Sequence, residues 1–105
     1  MEKRLFERIS VNVEIEFFSN ENLYCGTVRN ISEKGMFIRT KRIYFPFDMQ
    51  FEMRIPWEEK IICLPVNLNR MSTSPDSSDA LAVEITEPSI QYLEFLSNLR
   101  VVCKY

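Results

Sequence analysis

The stretch NISEKG, residues 30–35, lies between two runs of strand-like residues, 24–29 and 36–40. Asn and Ser have short polar side chains that hydrogen-bond to neighbouring backbone and so favour a turn. Gly35 has no Cβ, and it can therefore take a positive φ or let another molecule come close to the backbone. The stretch predicts a tight turn between two neighbouring strands.

Much of the remaining chain alternates between apolar and polar residues, which is the period of a half-buried strand. In residues 10–17, one face carries Val11, Val13, Ile15 and Phe17. Further strands are predicted over residues 23–29, 36–40, 48–55, 60–71 and 80–85. Pro65 cannot donate a hydrogen bond to a neighbouring strand, so its own strand needs an edge or a bulge there.

The period changes after residue 86. Apolar residues fall near helical spacing over residues 88–99, with Pro88 in the first turn and Thr86 as the predicted N-cap. Six strands joined by short connections and followed by one helix predict a mainly β domain, either an antiparallel barrel or a sandwich.

Length and composition narrow the class of protein. The 105 residues form one small domain, and 46% of them are apolar, enough for a single core. Thirteen basic and fifteen acidic side chains give a net charge of −2. The basic excess is local, since residues 1–42 carry net +2 and residues 43–105 net −4. This balance argues against a general nucleic-acid binder but allows a cationic site for a small anion.

Three widely spaced cysteines and no histidine argue against a zinc site or a disulfide framework. We expect Cys25, Cys63 and Cys103 to be small buried or half-buried residues. No apolar run approaches the roughly 18 residues of a membrane span, and no apolar signal segment follows the first four residues. We therefore expect a cytoplasmic protein with no membrane insertion.

Two arginines, Arg4 and Arg8, precede the first predicted strand with three residues between them. In a helix this spacing places them on one face. In an extended arm it places them on one side, roughly 13 Å apart. In either case both guanidinium groups can face the same partner, although an ordinary pair of solvated arginines is the alternative.

RxxxR at Arg4 and Arg8, followed by NxSxxG at Asn30, Ser32 and Gly35, resembles the ligand-binding signature of the PilZ domain family. The resemblance implies a six-stranded antiparallel PilZ-type β-barrel with one C-terminal α-helix. It divides the chain into a ligand-gripping arm (1–9), a barrel (10–86) and a helix (88–99). It also implies a bacterial receptor for the second messenger cyclic di-GMP.

By the same resemblance, Arg4 and Arg8 grip phosphate and guanine. An arginine fork matches O6 and N7 of guanine, a contact worth roughly 1–3 kcal/mol of discrimination. The resemblance places Asn30, Ser32 and Gly35 beside the base and sugar.

Two further positions bear on the ligand. Lys3 occupies a position that, in PilZ domains, influences whether one ligand or a stacked pair of ligands is bound. Ala82 stands where many PilZ domains have a glycine in the last strand, so its methyl group lies beside the expected ligand.

The sequence therefore predicts a signalling receptor or adaptor that binds cyclic di-GMP and acts on a protein effector that the sequence does not identify. No enzyme is expected, because no nucleophile lies beside a base and no metal cluster is visible, and no cofactor is expected. The alternative is a PilZ-like structural or adaptor domain that has lost the nucleotide. A barrel for single-stranded nucleic acid is a third interpretation, which the net charge disfavours.

Overall fold

The computed structural model of the chain describes residues 8–43, 48–76 and 78–103, with side chains up to residue 99. Residues 1–7, most of the predicted arm, lie outside this part. The strands and the helix are, in chain order, β1 (Ile9–Ser19), β2 (Asn22–Ile31), β3 (Gly35–Lys41), β4 (Gln50–Trp57), β5 (Lys60–Thr73), β6 (Ser78–Glu84) and α1 (Ile90–Cys103).

The strands form a closed antiparallel barrel in the order β1-β2-β3-β6-β5-β4. The predicted mainly β class is confirmed, and of the two architectures left open the barrel is the correct one. Closure pairs β1 with β4 through the contacts of Phe17 with Met53 and of Phe18 with Glu52. A closed barrel leaves no long unpaired strand edge, which is the usual route to aggregation of β proteins.

The core lies inside the barrel because alternate residues of each strand point inward. Its most deeply buried apolar side chains include Phe17, Val28, Ile38, Met53, Leu64 and Leu81. Each large apolar side chain that is fully buried stabilises the fold by roughly 1.5–3 kcal/mol. Gly26 also faces this core, where an added Cβ would lie 2.9 Å from the Ile38 side chain and 3.2 Å from the Phe17 ring.

Pro65 lies where the sequence requires it. It pairs with Glu52 of β4, whereas the pairing of β5 with β6 begins only at Asn67. Pro65 therefore occupies a stretch of β5 that is open on one side, and its missing N–H costs no hydrogen bond with β6.

Two tight turns hold residues in the left-handed region. Asn20 (φ 54°) and Glu21 (φ 66°) connect β1 to β2, and Glu58 (φ 58°) lies between β4 and β5. Positive φ at both central residues is typical of a type I′ hairpin turn. A glutamate in this region is strained by roughly 1–2 kcal/mol.

The helix packs against the barrel, but its bounds differ from the prediction. It begins at Ile90 and ends at Cys103, so it lies further along the chain than residues 88–99. The N-cap is Ser89, not Thr86, because the Ser89 hydroxyl accepts the N–H of Tyr92 at 3.1 Å. On the barrel side Tyr92, Phe95 and Leu96 are buried, and Phe95 meets Trp57 edge to face at 5.6 Å between ring centroids.

The expected burial of the cysteines is wrong for the two whose side chains are described. Cys25 and Cys63 are exposed free thiols on outward positions of β2 and β5. Glu16 and Arg54 lie between them in the ladder. Three strand spacings separate the two cysteines by roughly 15 Å, too far for a disulfide bond.

Candidate ligand-binding site

The turn between β2 and β3 is tightly packed. Ser32 is 6% exposed, and its N–H donates to the Gly35 carbonyl at 2.8 Å. Its hydroxyl donates to the same carbonyl at 3.4 Å. The hydroxyl of Tyr92 on α1 donates to the Ser32 carbonyl at 2.6 Å. These contacts make the turn a rigid connection between the barrel and the helix.

β6 holds the other side of this turn. The N–H of Ile85, directly after β6, donates to the Lys34 carbonyl at 2.7 Å. Gly35 does not have a positive φ, so the first of the two uses expected for this glycine is wrong. A Cβ at Gly35 would lie 3.0 Å from the Val83 carbonyl oxygen, so β6 approaches this glycine closely. Approach of another molecule to its backbone stays a prediction.

Arg8 and Asn30, which come from separate halves of the signature, meet on the outside of the barrel. Nη1 of Arg8 donates to Oδ1 of Asn30 at 2.8 Å, and the contact is exposed to solvent. Asn30 pairs with Ser10, two residues after Arg8, in the ladder that joins β1 to β2. The contact uses one lone pair of the Asn30 amide oxygen, and the amino group of Asn30 remains a donor for other groups.

Asn30 belongs to a row of outward residues that crosses five strands. In the ladder Ser10 pairs with Asn30, Asn30 with Phe37, Phe37 with Ala82, and Ala82 with Arg70. Directly opposed residues of an antiparallel pair point to the same face of the sheet. We call Ser10, Asn30, Phe37, Ala82 and Arg70 the outer row. It carries polar side chains at its ends and the Phe37 and Ala82 side chains, both half-buried, in its middle.

A second arginine near this face is already engaged. Arg39, two residues after Phe37, donates to the Ser78 hydroxyl at 2.8 Å and lies 3.8 Å from a carboxylate oxygen of Asp76. The Ser78 hydroxyl in turn donates to Asp76 at 2.7 Å. This hydrogen bond, with help from the Arg39 charge, lowers the pKa of Asp76. Arg39 therefore ties β3 to the start of β6.

The structure describes five of the seven predicted site residues. Arg8, Asn30, Ser32, Gly35 and Ala82 all lie in or beside the turn and the outer row. Lys3 and Arg4 lie outside the described residues, so their predicted roles stay predictions.

Sequence reasoning missed Phe37, Arg70 and the hydroxyl of Tyr92. Alternation in residues 36–40 could have placed Phe37 outward, since Met36 and Ile38 point into the core. Arg70 could not have been found in this way, because a register shift between Leu68 and Arg70 breaks the alternation of β5.

Over the described ranges, no group of three His, Cys, Asp or Glu side chains could hold a metal ion. The helix that the structure describes is too short and too polar to span a bilayer.

Known proteins support the fold. The sequence profile described as "PilZ domain" matches residues 2–99. The chain is similar to the solved "Structure of Bacillus subtilis Inhibitor of motility (MotI/DgrA)", with 17% identity and a TM-score of 0.73 over 99% of this chain and 50% of that one. The chain thus spans about half the length of the Bacillus protein.

The chain is also similar to the solved "PilZ domain with c-di-GMP of YcgR from Escherichia coli". Identity is 12% and the TM-score 0.75, over 98% of this chain and 92% of that one. A search of curated protein sequences gave no match. Because the family profile spans nearly the whole chain, this protein belongs to the PilZ domain family.

Proposed function

We propose that this domain is a cytoplasmic receptor for cyclic di-GMP that passes the signal to a protein effector. It binds the nucleotide with Arg8, Asn30, Ser32 and Gly35, together with Arg4 of the preceding arm. Family membership supports the ligand, since the Escherichia coli relative with the same fold was solved as a PilZ domain with c-di-GMP.

The observation that carries the proposal is the 2.8 Å contact between Arg8 and Asn30. Arg8 lies 22 residues before Asn30, yet its guanidinium group rests on the outer row, next to the turn that contains Ser32 and Gly35. This contact supports a single binding surface that draws on both halves of the signature.

The chemistry of this surface suits an anionic purine nucleotide. A guanidinium group uses one N–H to hold Asn30 and retains further N–H groups for phosphate oxygens or for O6 and N7 of guanine. The amino group of Asn30 is another donor. Gly35 adds no side chain, so a base can lie close to the strand backbone. Arg4 and Lys3 would add positive charge, and Ala82 would form part of the surface beneath the ligand.

Calorimetric titration with cyclic di-GMP tests the proposal. Wild-type protein should bind, and Arg8→Ala should bind about 10- to 100-fold more weakly, because a hydrogen bond to a charged group contributes about 1.5–3 kcal/mol. Lys60→Ala is the matched control, since it removes one exposed positive charge from the start of β5. Absence of binding by the wild type would refute the proposal, and equal affinities for wild type and Arg8→Ala would refute the role of Arg8.

An adaptor that ignores the nucleotide is the second candidate. The outward faces of β2 and β5 favour it, because Leu23 and Ile61 are more than half exposed there. Exposed apolar side chains are common at protein–protein contacts. A partner that binds equally well with and without cyclic di-GMP would support this candidate over the receptor.

A further inference from the structure

The outer row ends in a cation, Arg70, that the family signature does not include. Arg70 lies on β5, directly opposite Ala82, and it is exposed. Within the described part of the chain, no carboxylate pairs with it, in contrast to Arg39, which contacts Asp76. Arg70 is therefore available to a ligand from outside the chain.

Irregularities in the strand pairing occur along the same row. The described strand pairs contain three register shifts, between Ser10 and Val13, between Val28 and Asn30, and between Leu68 and Arg70. Each shift is directly beside a member of the outer row. Bulges re-aim side chains and are concentrated next to functional sites, so their position here indicates a surface shaped for a ligand.

The width of the row fits a ligand with two similar halves. Asn30 and Arg70 are three strands apart, which corresponds to roughly 15 Å along the barrel surface. Phe37 and Ala82 lie between them and offer a mostly apolar floor, on which a base can lie flat. A cyclic dinucleotide whose first half is bound by Arg8 and Asn30 would extend its second half over this floor.

We propose that Arg70 binds the phosphodiester of the second nucleotide and so makes the site bivalent, with Arg8 and Arg70 at its two ends. This inference rests on the proposed function and adds a contact to it. Arg70 donates charge-assisted hydrogen bonds to the phosphate oxygens. It also opposes the repulsion from Glu84, an exposed carboxylate two residues along β6 from Ala82.

The test compares affinities for cyclic di-GMP by calorimetry in wild type, Arg70→Gln, Arg70→Lys and Lys60→Gln. Arg70→Gln should lower the affinity about tenfold or more. Arg70→Lys should stay within about threefold of wild type, because an ammonium group still binds phosphate as a point charge. Lys60→Gln removes the same charge far from the outer row and should have no effect. Melting temperatures without ligand should agree, since both side chains are exposed.

The possible failures are distinguishable. Binding by the wild type together with equal binding by Arg70→Gln would overturn the role of Arg70 and leave the receptor intact. Equal losses in Arg70→Gln and Arg70→Lys would overturn the assignment to phosphate, since they would show that the planar fork of arginine is needed and its positive charge alone is not enough. Absence of binding by the wild type would overturn both the receptor and this inference.

Discussion

Two parts of the binding signature, the turn from Ser32 to Gly35 and the pair Arg8 and Asn30, have different surroundings in the fold. Four hydrogen bonds hold the turn of Ser32 to Gly35, including one from Tyr92 of the helix and one from Ile85 after β6. Arg8 and Asn30 share a single hydrogen bond, which is exposed to solvent. Several hydrogen bonds tie the turn into the fold, whereas the pair Arg8 and Asn30 is open to solvent.

This difference separates stability from binding. Loss of a hydrogen bond that holds the turn should lower the free energy of unfolding, whereas changes at Arg8 or Asn30 should alter the affinity for the nucleotide and leave the fold intact. The following variants test that separation.

The largest effect on stability is expected from the glycine outside the signature. Gly26→Ala places a Cβ against Ile38, the Arg39 carbonyl and Phe17 at 2.9, 3.1 and 3.2 Å. Overpacking of this kind costs about 1–3 kcal/mol of unfolding free energy, measurable by urea denaturation.

Gly35→Ala is the matched comparison. Its Cβ meets one atom, the Val83 carbonyl oxygen at 3.0 Å, and the loss of glycine's freedom in the unfolded chain offsets part of the cost. We expect the free energy of unfolding to change by less than about 1 kcal/mol. Binding of cyclic di-GMP should weaken, because the methyl group fills the open face. A loss of stability equal to that of Gly26→Ala would contradict this comparison.

The next effect concerns the link between the turn and the helix. Tyr92→Phe removes the donor to the buried Ser32 carbonyl and should lower the free energy of unfolding by about 1–2 kcal/mol. For a domain of this size the melting temperature would fall by several degrees, as calorimetry would show. The nucleotide affinity should stay within about threefold of wild type.

Tyr24→Phe is the control for this variant, because its ring stacks on Phe17 and takes no part in the turn. A Tyr92→Phe protein that keeps full stability but loses the ligand would show that this hydrogen bond positions the ligand-binding residues of the turn instead of stabilising the fold.

A smaller effect is expected in affinity from Asn30→Asp. A carboxylate can accept the Arg8 hydrogen bond with one oxygen and the donors of guanine with the other, which the amide of Asn30 cannot do. Affinity for cyclic di-GMP should rise about three- to tenfold, as measured by titration. Asn22→Asp adds the same charge at the start of β2 and should leave the affinity unchanged.

The smallest effect tests whether stability can change while binding does not. Glu58→Gly relieves the strain of a positive φ and should raise the free energy of unfolding by about 0.5–1 kcal/mol. Glu59→Gly, at a neighbouring residue without a positive φ, removes the same charge and should lower it. Neither variant should alter the nucleotide affinity. An equal change in stability for both would show that charge, not backbone strain, dominates at this turn.

Most of the fold was predictable because its signals are local. Alternation placed Ile15 and Phe17 in the core, and helical spacing placed Tyr92 and Leu96 on the buried face of α1. The N-cap was missed because Thr86 and Ser89 are both good capping residues, and only the observed Ser89 contact distinguishes them.

The site was predictable only in part. The signature located Arg8 and Asn30, but the sequence gives no measure of how strand register brings distant residues together. Arg70 joins the outer row because β5 is displaced by a bulge and pairs with β6, which follows it in the chain but lies beside β3 in the barrel. Alternation could have placed Cys63 outward, since Ile62 and Leu64 on either side of it point into the core.

A double-mutant cycle at Arg8 and Asn30 tests the recognition surface most directly. The affinity for cyclic di-GMP is measured by calorimetry for wild type, Arg8→Ala, Asn30→Ala and the double variant. If the two side chains bind the ligand as one unit, the double variant should lose little more binding free energy than the single variant that binds less tightly. The coupling energy should then be about 1–3 kcal/mol. Losses that add within about 0.3–0.5 kcal/mol, or a wild type that does not bind, would contradict the account.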